Sequence, residues 1–156
     1  MVPIIKGQVI SGEFGKILAR QKSGQNLELG ELLISESGEN KILMQVFDLI
    51  YGSQISQQNL ELISGMALEE NTDTEFYDKN LRNYVLAGLK NLVTIKNSKA
   101  FVSKLMPPFF SEVREITKED LSFLTKPQNP LSIGNLRSGS KMLDVPIYLE
   151  GEKVLS

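Results

Sequence analysis

The chain has 156 residues, of which 41% are hydrophobic and 23% charged, a composition that suits one globular domain. It contains no Cys, His or Trp, which excludes disulfides, Ser-His and Cys-His nucleophile pairs, and the usual ligand sets of zinc. No stretch approaches the roughly 18 apolar residues of a membrane span, and the N-terminus lacks the pattern of a secretory signal. We therefore expect a cytoplasmic protein that makes no membrane contact.

The charges are divided unevenly along the chain. Residues 1–78 contain five Lys or Arg and twelve Asp or Glu, a net charge of −7. Residues 79–156 contain twelve and seven, a net charge of +5, and the whole chain carries −2. Two oppositely charged faces suit head-to-tail packing of identical subunits or docking of a charged partner. A merely uneven surface charge is the alternative.

Most of the first hundred residues are typical of short strands separated by turns. Alternating apolar and polar residues predict strands around 5–9 and 16–22. The segment 42–51 is apolar on both faces, which is typical of a strand at a packed centre or under a covering helix. Further strands are predicted over 83–89, 92–96, 113–116 and 145–150. Helix is the alternative for 83–89, and a connection at Lys90-Asn91 separates it from the next strand.

Two helices and an arm complete the predicted elements. Apolar residues recur at helical spacing over 56–68, with Ser56 as a possible N-cap. Thr117 and Asp120 have the spacing of a capping box, so a short helix should begin there. Residues 125–141 are rich in Pro, Gly, Ser and Asn, which predicts an extended arm. The whole pattern predicts a mainly β fold with inserted helices: a small antiparallel β-barrel with a C-terminal extended arm.

Two stretches resemble ligand-binding motifs but lack the required spacing. In 134–141 (GNLRSGSK), Ser140 stands where a phosphate-binding loop has its lysine, and Pro146 disfavours the helix that must follow. The acidic run from Glu69 to Asp78 lacks the alternating ligands and turn glycine of a calcium-binding loop. We expect an ordinary glycine-rich loop and a solvated acidic loop. We therefore expect no catalytic residue, cofactor site or metal site in this chain.

The most unusual short stretch is Met106-Pro-Pro-Phe-Phe110. Its two prolines exclude a regular helix or central strand, although apolar groups surround them. In one interpretation Phe109 and Phe110 fold back as a lid on the barrel. In the other the stretch is an exposed apolar docking patch, and Met106, Phe109 and Phe110 are the candidate partner interface.

The C-terminal stretch has a family resemblance. Residues 130–140 (PLSIGNLRSGS) and 143–156 (LDVPIYLEGEKVLS) resemble the segment just upstream of the phosphate-binding loop in HerA-type archaeal DNA helicases and translocases. The earlier part is similar to the N-terminal HAS barrel of that family, which is related to the barrel heading F-type ATP synthase subunits. The matching features are Gly7–Gly12 leading into Phe14, Leu29–Glu31, and Val113–Thr117 with its short helix.

The resemblance implies a HAS barrel over residues 1–116, with the helix 56–68 inserted. It implies a connector helix and extended arm over 117–156, leading toward an ATPase core that this chain lacks. HerA-type proteins form hexameric rings that move duplex DNA and act with the NurA nuclease in DNA end resection. The implied role is a non-catalytic assembly and docking domain that binds copies of itself and a NurA-like nuclease. Duplex DNA, ATP and Mg²⁺ are then expected only at the motor core of the parent protein.

Two other functions stay as alternatives. The first is a nucleic-acid-binding barrel, in which basic residues act with aromatic rings that stack on bases. Its candidates are Lys90, Lys96, Lys99, Lys104, Arg114 and Lys118, with Phe101, Phe109 and Phe110 near them in the sequence. The pI of 5.3 argues against it. The second is a free-standing enzyme using carboxylates or lysines, which predicts a deep pocket with titratable groups of shifted pKa.

Overall fold

The computed structural model describes residues 2–53, 56–70, 83–124 and 130–150. Its strands are β1 (Ile5–Glu13), β2 (Lys16–Gln21), β3 (Leu32–Ser37), β4 (Asn40–Ser53), β5 (Asn83–Lys96), β6 (Lys99–Val102), β7 (Glu112–Glu115), β8 (Pro130–Ser138) and β9 (Lys141–Glu150). An α-helix, α1 (Gln57–Glu70), lies between β4 and β5, and a 3₁₀-helix (Glu119–Leu121) follows β7. Within these ranges, no helix is long and apolar enough to cross a membrane.

Six strands close into an antiparallel barrel in the order β1-β2-β5-β4-β3-β7, with β7 pairing back onto β1. This confirms the predicted mainly β fold and the small antiparallel barrel. One edge of β5 pairs with β2 through residues 86–89 and with β6 through 93–96. Strand β6 therefore extends the sheet beyond the closed ring. A Cβ at Gly7 would collide with the carbonyl oxygen of Arg20, so β1 and β2 can approach this closely only with glycine there.

The barrel interior is filled by alternate residues of its strands, because successive side chains on a strand point to opposite faces. The largest fully buried apolar side chains of this interior are Ile17, Leu33, Ile42, Met44, Val46, Leu89 and Val113. Burying one such side chain stabilises the fold by about 1.5–3 kcal/mol. This cluster is the main core of the domain.

A second apolar cluster covers the outer face of β3, β4 and β5. Its buried members are Leu32, Ile34, Leu43, Ile95, Ile116 and Leu121, with Val93, Phe123, Leu136, Leu143 and Val145 packed against them. Burial on both faces, predicted for 42–51, thus extends only over residues 42–46 of β4. The covering elements are the 3₁₀-helix and the β8–β9 hairpin. The side chains of Phe47, Ile50 and Tyr51 are 45%, 43% and 92% exposed.

The predicted arm takes the form of a β-hairpin over residues 130–150. Strands β8 and β9 pair antiparallel across a turn at Gly139-Ser140. The Leu32 amide donates a hydrogen bond to the Ser138 hydroxyl at 2.7 Å, which attaches the hairpin to β3. Residues 125–129 at the start of the arm, 151–156 at its end and 71–78 of the acidic run lie outside the described residues.

Two local predictions about β5 and α1 have different outcomes. The strands predicted at 83–89 and 92–96 are one continuous strand, β5, so the predicted connection at Lys90-Asn91 is wrong, as is the helix alternative. A register shift opposite Leu43 and Met44 accommodates the extra residue Leu92 as a bulge. Helix α1 matches the helix predicted over 56–68. The Asn59 amide lies 3.4 Å from the Ser56 hydroxyl, as expected for a Ser56 cap.

Candidate protein-docking surface

The connection between β6 and β7, residues 103–111, contains the Met-Pro-Pro-Phe-Phe stretch. At its start, the Ser103 and Thr94 hydroxyl oxygens are 3.4 Å apart. At its end, the Ser111 and Ser35 hydroxyl oxygens are 3.0 Å apart. Ser103 and Pro107 are buried. The connection is therefore anchored to β5 at one end, to β3 at the other, and in its middle through Pro107.

A tight turn over Pro108–Ser111 presents the two phenylalanines. The Ser111 amide donates to the Pro108 carbonyl oxygen at 3.0 Å, which closes the turn. The Phe110 amide donates to the Val9 carbonyl oxygen, and the Val9 amide donates to the Ser111 carbonyl oxygen, both at 2.9 Å. The Gln8 side-chain amide donates to the Phe110 carbonyl oxygen at 2.9 Å. These bonds fix the backbone of the turn against β1.

Phe110 has an unfavourable backbone conformation for its residue type. Its φ angle is +65°, at the third position of the turn, where a positive φ favours glycine. A left-handed conformation costs an L residue on the order of 1–2 kcal/mol. The side chain is 61% exposed, so core burial does not offset this cost. Folding alone therefore gives no reason for a phenylalanine at this position.

The neighbouring side chains extend this apolar surface. Phe109 is 64% exposed and packs edge-to-face on Phe110, with ring centroids 4.3 Å apart. Met106 is 47% exposed on the same anchored connection. The interpretation of the phenylalanines as a lid is wrong, because both side chains are exposed to solvent. Pro107 is the residue of this stretch that is buried. We call Met106, Phe109 and Phe110 the knuckle.

Strand pairing places further exposed apolar residues at the same end of the barrel. The β1–β2 turn, which carries Phe14, follows the pairing of Gly12 with Ile17. Ile17 pairs with Leu89 on β5, and Asn91 donates to the Leu105 carbonyl oxygen at 3.2 Å. Phe14 and Leu105 are about half exposed. Neither residue was predicted to be exposed, although a phenylalanine at a hairpin apex beside glycine has no strand face on which to be buried.

The exposed charges at this barrel end are mixed, with lysines in excess. The exposed lysines are Lys16, Lys90, Lys99 and Lys104, and the exposed glutamates are Glu13 and Glu112. Lys96, another of the basic candidates for nucleic-acid binding, lies 3.8 Å from the Glu39 carboxylate. Phe101 on β6 is 53% exposed among these lysines. The end of the barrel thus combines aromatic rings with an excess of lysines.

The glycine-rich stretch has a hairpin geometry that does not suit phosphate binding. It runs from β8 through the Gly139-Ser140 turn into β9, so no helix N-terminus follows it. The Ser140 hydroxyl and amide both donate to the Glu28 carboxylate at 2.9 Å. These hydrogen bonds lower the pKa of Glu28. A protein carboxylate thus occupies the donors that a phosphate would need.

The Asp120 carboxylate is the most strongly bound charged group in the described chain segments. Arg114 donates to both of its oxygens, at 2.7 and 2.8 Å. The Thr117 amide and hydroxyl donate at 2.8 and 2.9 Å, and Lys41 donates at 3.1 Å. The predicted capping box is formed in part, because the carboxylate binds the Thr117 amide but the hydroxyl donates to the same carboxylate. Asp120 is 1% exposed. It joins the 3₁₀-helix to β7 and β4.

Burial and hydrogen bonding oppose each other at Asp120. Burial alone raises the pKa of its carboxyl group, but the bonds from Arg114, Thr117 and Lys41 outweigh it, so the pKa lies well below its ordinary range. The same bond to Asp120 raises the pKa of Arg114. Because five donors already bind this carboxylate, we interpret the cluster as structural rather than reactive.

A small cleft between the barrel and the hairpin contains several charged side chains. Lys6 and Glu31 form an ion pair at 3.4 Å there, and Lys6 also donates to the Asn26 carbonyl oxygen at 3.0 Å. The cleft has a volume of about 120 Å³, well below the roughly 300 Å³ at which small-molecule pockets begin. Among the residues that the structure describes, no three acidic side chains are grouped closely enough to hold a metal ion.

No model of a known protein family matches this chain, and no curated protein is similar to it in sequence. The resemblance of the C-terminal stretch to HerA-type proteins therefore stays a prediction.

Proposed function

We propose that this chain is a non-catalytic assembly and docking domain that binds partner proteins through the knuckle. The observation that carries the proposal is Phe110, an exposed aromatic residue in a backbone conformation that favours glycine. Strained residues of this kind cluster at binding sites. Exposed aromatic anchors supply much of the affinity of protein interfaces, because they bury a large apolar area with few rotatable bonds.

In this proposal the parent protein is a HerA-like, hexameric, DNA-translocating ATPase that acts in DNA end resection and repair. The partners are other copies of the barrel and a NurA-type nuclease, in the cytoplasm. Support comes from the resemblance over 130–140 and 143–156 and from the closed barrel, which suits a HAS barrel. Duplex DNA, ATP and Mg²⁺ would be bound by the motor core of the parent. A GxxxxGK[ST] motif encoded shortly after Ser156 would support this assignment, and unrelated sequence there would contradict it.

The docking role is tested by titrating the chain with a NurA-type nuclease and comparing two variants. The double variant Phe109→Ser/Phe110→Gly removes both rings of the knuckle. Leu29→Ser is the matched control, because Leu29 is 61% exposed outside the knuckle. We expect the double variant to weaken binding at least about 30-fold, as for loss of an interface hot spot, and the control to bind like the parent chain. Unchanged binding by the double variant would refute the proposal.

The second candidate is a nucleic-acid-binding barrel, which the exposed lysines around Phe101 favour. It predicts affinity for oligonucleotides that falls steeply with salt and is lost when Lys99 and Lys104 are replaced. One observation supports protein docking over this candidate. Phe109 and Phe110 pack edge-to-face rather than as parallel platforms for bases.

A further inference from the structure

We propose that the knuckle of one copy receives helix α1 of a second copy, so that the barrels associate head to tail. This inference rests on the proposed function, because it names the occupant of the docking surface. The contact would join an acidic helix with exposed apolar side chains to an aromatic barrel end at which lysines are in excess.

Helix α1 exposes an apolar face. Leu62, Met66 and Leu68 are 62%, 38% and 75% exposed. Met66 and Glu69 lie four and seven residues after Leu62 and share its helical face, whereas Leu68 lies on another side of the helix. In the part of the chain that the structure describes, the core clusters contain no residue of α1. A helix of 14 residues is marginal in water on its own, and Gly65 within it costs about 1 kcal/mol relative to alanine. The helix therefore gains from a surface that covers Leu62 and Met66.

The charges of the two surfaces are complementary. Helix α1 contains three glutamates and no lysine or arginine, and Glu61 and Glu69 are exposed. The border of the knuckle carries Lys90, Lys99 and Lys104. The signs of these two surfaces agree with the net charges of the two halves of the sequence. The helix lies in residues 1–78, which carry −7, and the knuckle lies in residues 79–156, which carry +5. An acidic, apolar helix is thus the occupant that this barrel end favours.

The two surfaces lie toward opposite ends of the domain. Helix α1 is inserted between the last residue of β4, Ser53, and the first residue of β5, Asn83, which pair with each other. From Asn83 to Asn91, next to the knuckle, β5 spans about 26 Å at the rise of an extended strand. A contact between these ends joins unlike surfaces. Such contacts repeat from copy to copy. They close into a ring when the rotation that relates one copy to the next is a whole fraction of a full turn, and otherwise they form an open filament.

The test is a charge exchange, followed by sedimentation of the full chain at low salt. One variant, Lys99→Glu/Lys104→Glu, makes the barrel end acidic, and the other, Glu61→Lys/Glu69→Lys, makes the helix basic. We expect the unaltered chain to self-associate, and each variant alone to associate at least about tenfold more weakly, because like charges then meet. An equimolar mixture of the two variants should associate again, because each acidic surface finds a basic one. Lys22→Glu, an exposed charge reversal elsewhere, should behave like the unaltered chain.

The outcomes separate this inference from the proposed function. A chain that stays monomeric at every concentration, or a mixture that does not associate, overturns the helix–knuckle contact. If helix α1 and the nuclease compete for the same knuckle, Glu61→Lys/Glu69→Lys, which frees the knuckle from the helix, should bind the nuclease more tightly than the unaltered chain. If only the inference fails, the two proteins should bind the nuclease equally well. Binding of a single-stranded oligonucleotide by the unaltered chain, its loss in Lys99→Glu/Lys104→Glu, and no self-association of the unaltered chain would together assign the basic end to nucleic acid and overturn the inference.

Discussion

Replacing Phe110 by glycine and by alanine separates the cost of its backbone conformation from the loss of its ring. Both substitutions remove the same contact with Phe109, so the difference between the two variants depends on the backbone alone. At φ +65°, the left-handed backbone conformation destabilises the folded state of the alanine variant by about 1–2 kcal/mol, and it does not destabilise that of the glycine variant. Glycine loses more conformational freedom on folding, which costs about 0.5–1 kcal/mol. We therefore expect Phe110→Gly to be about 0.5–1 kcal/mol more stable than Phe110→Ala.

The assay is urea unfolding followed by far-UV circular dichroism, because the chain has no tryptophan for fluorescence. Phe101 provides the matched control, since it is similarly exposed and lies on β6 without a positive φ. There the order should reverse, with Phe101→Ala about 0.5–1 kcal/mol more stable than Phe101→Gly. Equal stability at position 110, or greater stability of the alanine variant, would refute the argument that Phe110 is retained for a reason other than folding.

The remaining predictions concern the Asp120 cluster. Asp120→Asn should lower the free energy of unfolding by about 3 kcal/mol, because it leaves Arg114 largely buried without its main counter-ion. Glu36→Gln should cost less than about 1 kcal/mol, since Glu36 is the exposed partner of Arg114. The lowered pKa of Asp120 means that the unfolded chain binds more protons at acid pH. Stability should therefore be complete above the ordinary Asp pKa of about 3.9 and fall as the pH drops below it. The urea midpoint should decline less steeply in Asp120→Asn, and an equal decline in both proteins would contradict this assignment.

The sequence predicted what depends on local pattern. The alternation around 5–9 and 16–22 was sufficient for β1 and β2, and Ser56 was sufficient for the start of α1. The two prolines of the Met106–Phe110 stretch identified the knuckle, because they exclude regular structure while leaving apolar side chains to be placed.

What the sequence could not predict depends on contacts between distant residues. Lys90-Asn91 has the composition of a turn, but pairing with β4 keeps β5 continuous and accommodates Leu92 as a bulge. The arm becomes a hairpin because Leu136, Leu143 and Val145 find the outer cluster of the barrel. The φ of Phe110 is set by hydrogen bonds to β1, about a hundred residues earlier in the chain. No local pattern carries that information.

The most direct test of the docking role is a photo-crosslinking amino acid placed at position 110 of the protein in its own cells. The same amino acid at position 29 is the control, because Leu29 is equally exposed outside the knuckle. Mass spectrometry of the crosslinked products identifies what lies against the knuckle. We predict crosslinks from position 110 to a second copy of this chain or to a NurA-type nuclease, and none of these from position 29. No protein crosslink from position 110 above the level at position 29, or crosslinks to nucleic acid alone, would contradict the account.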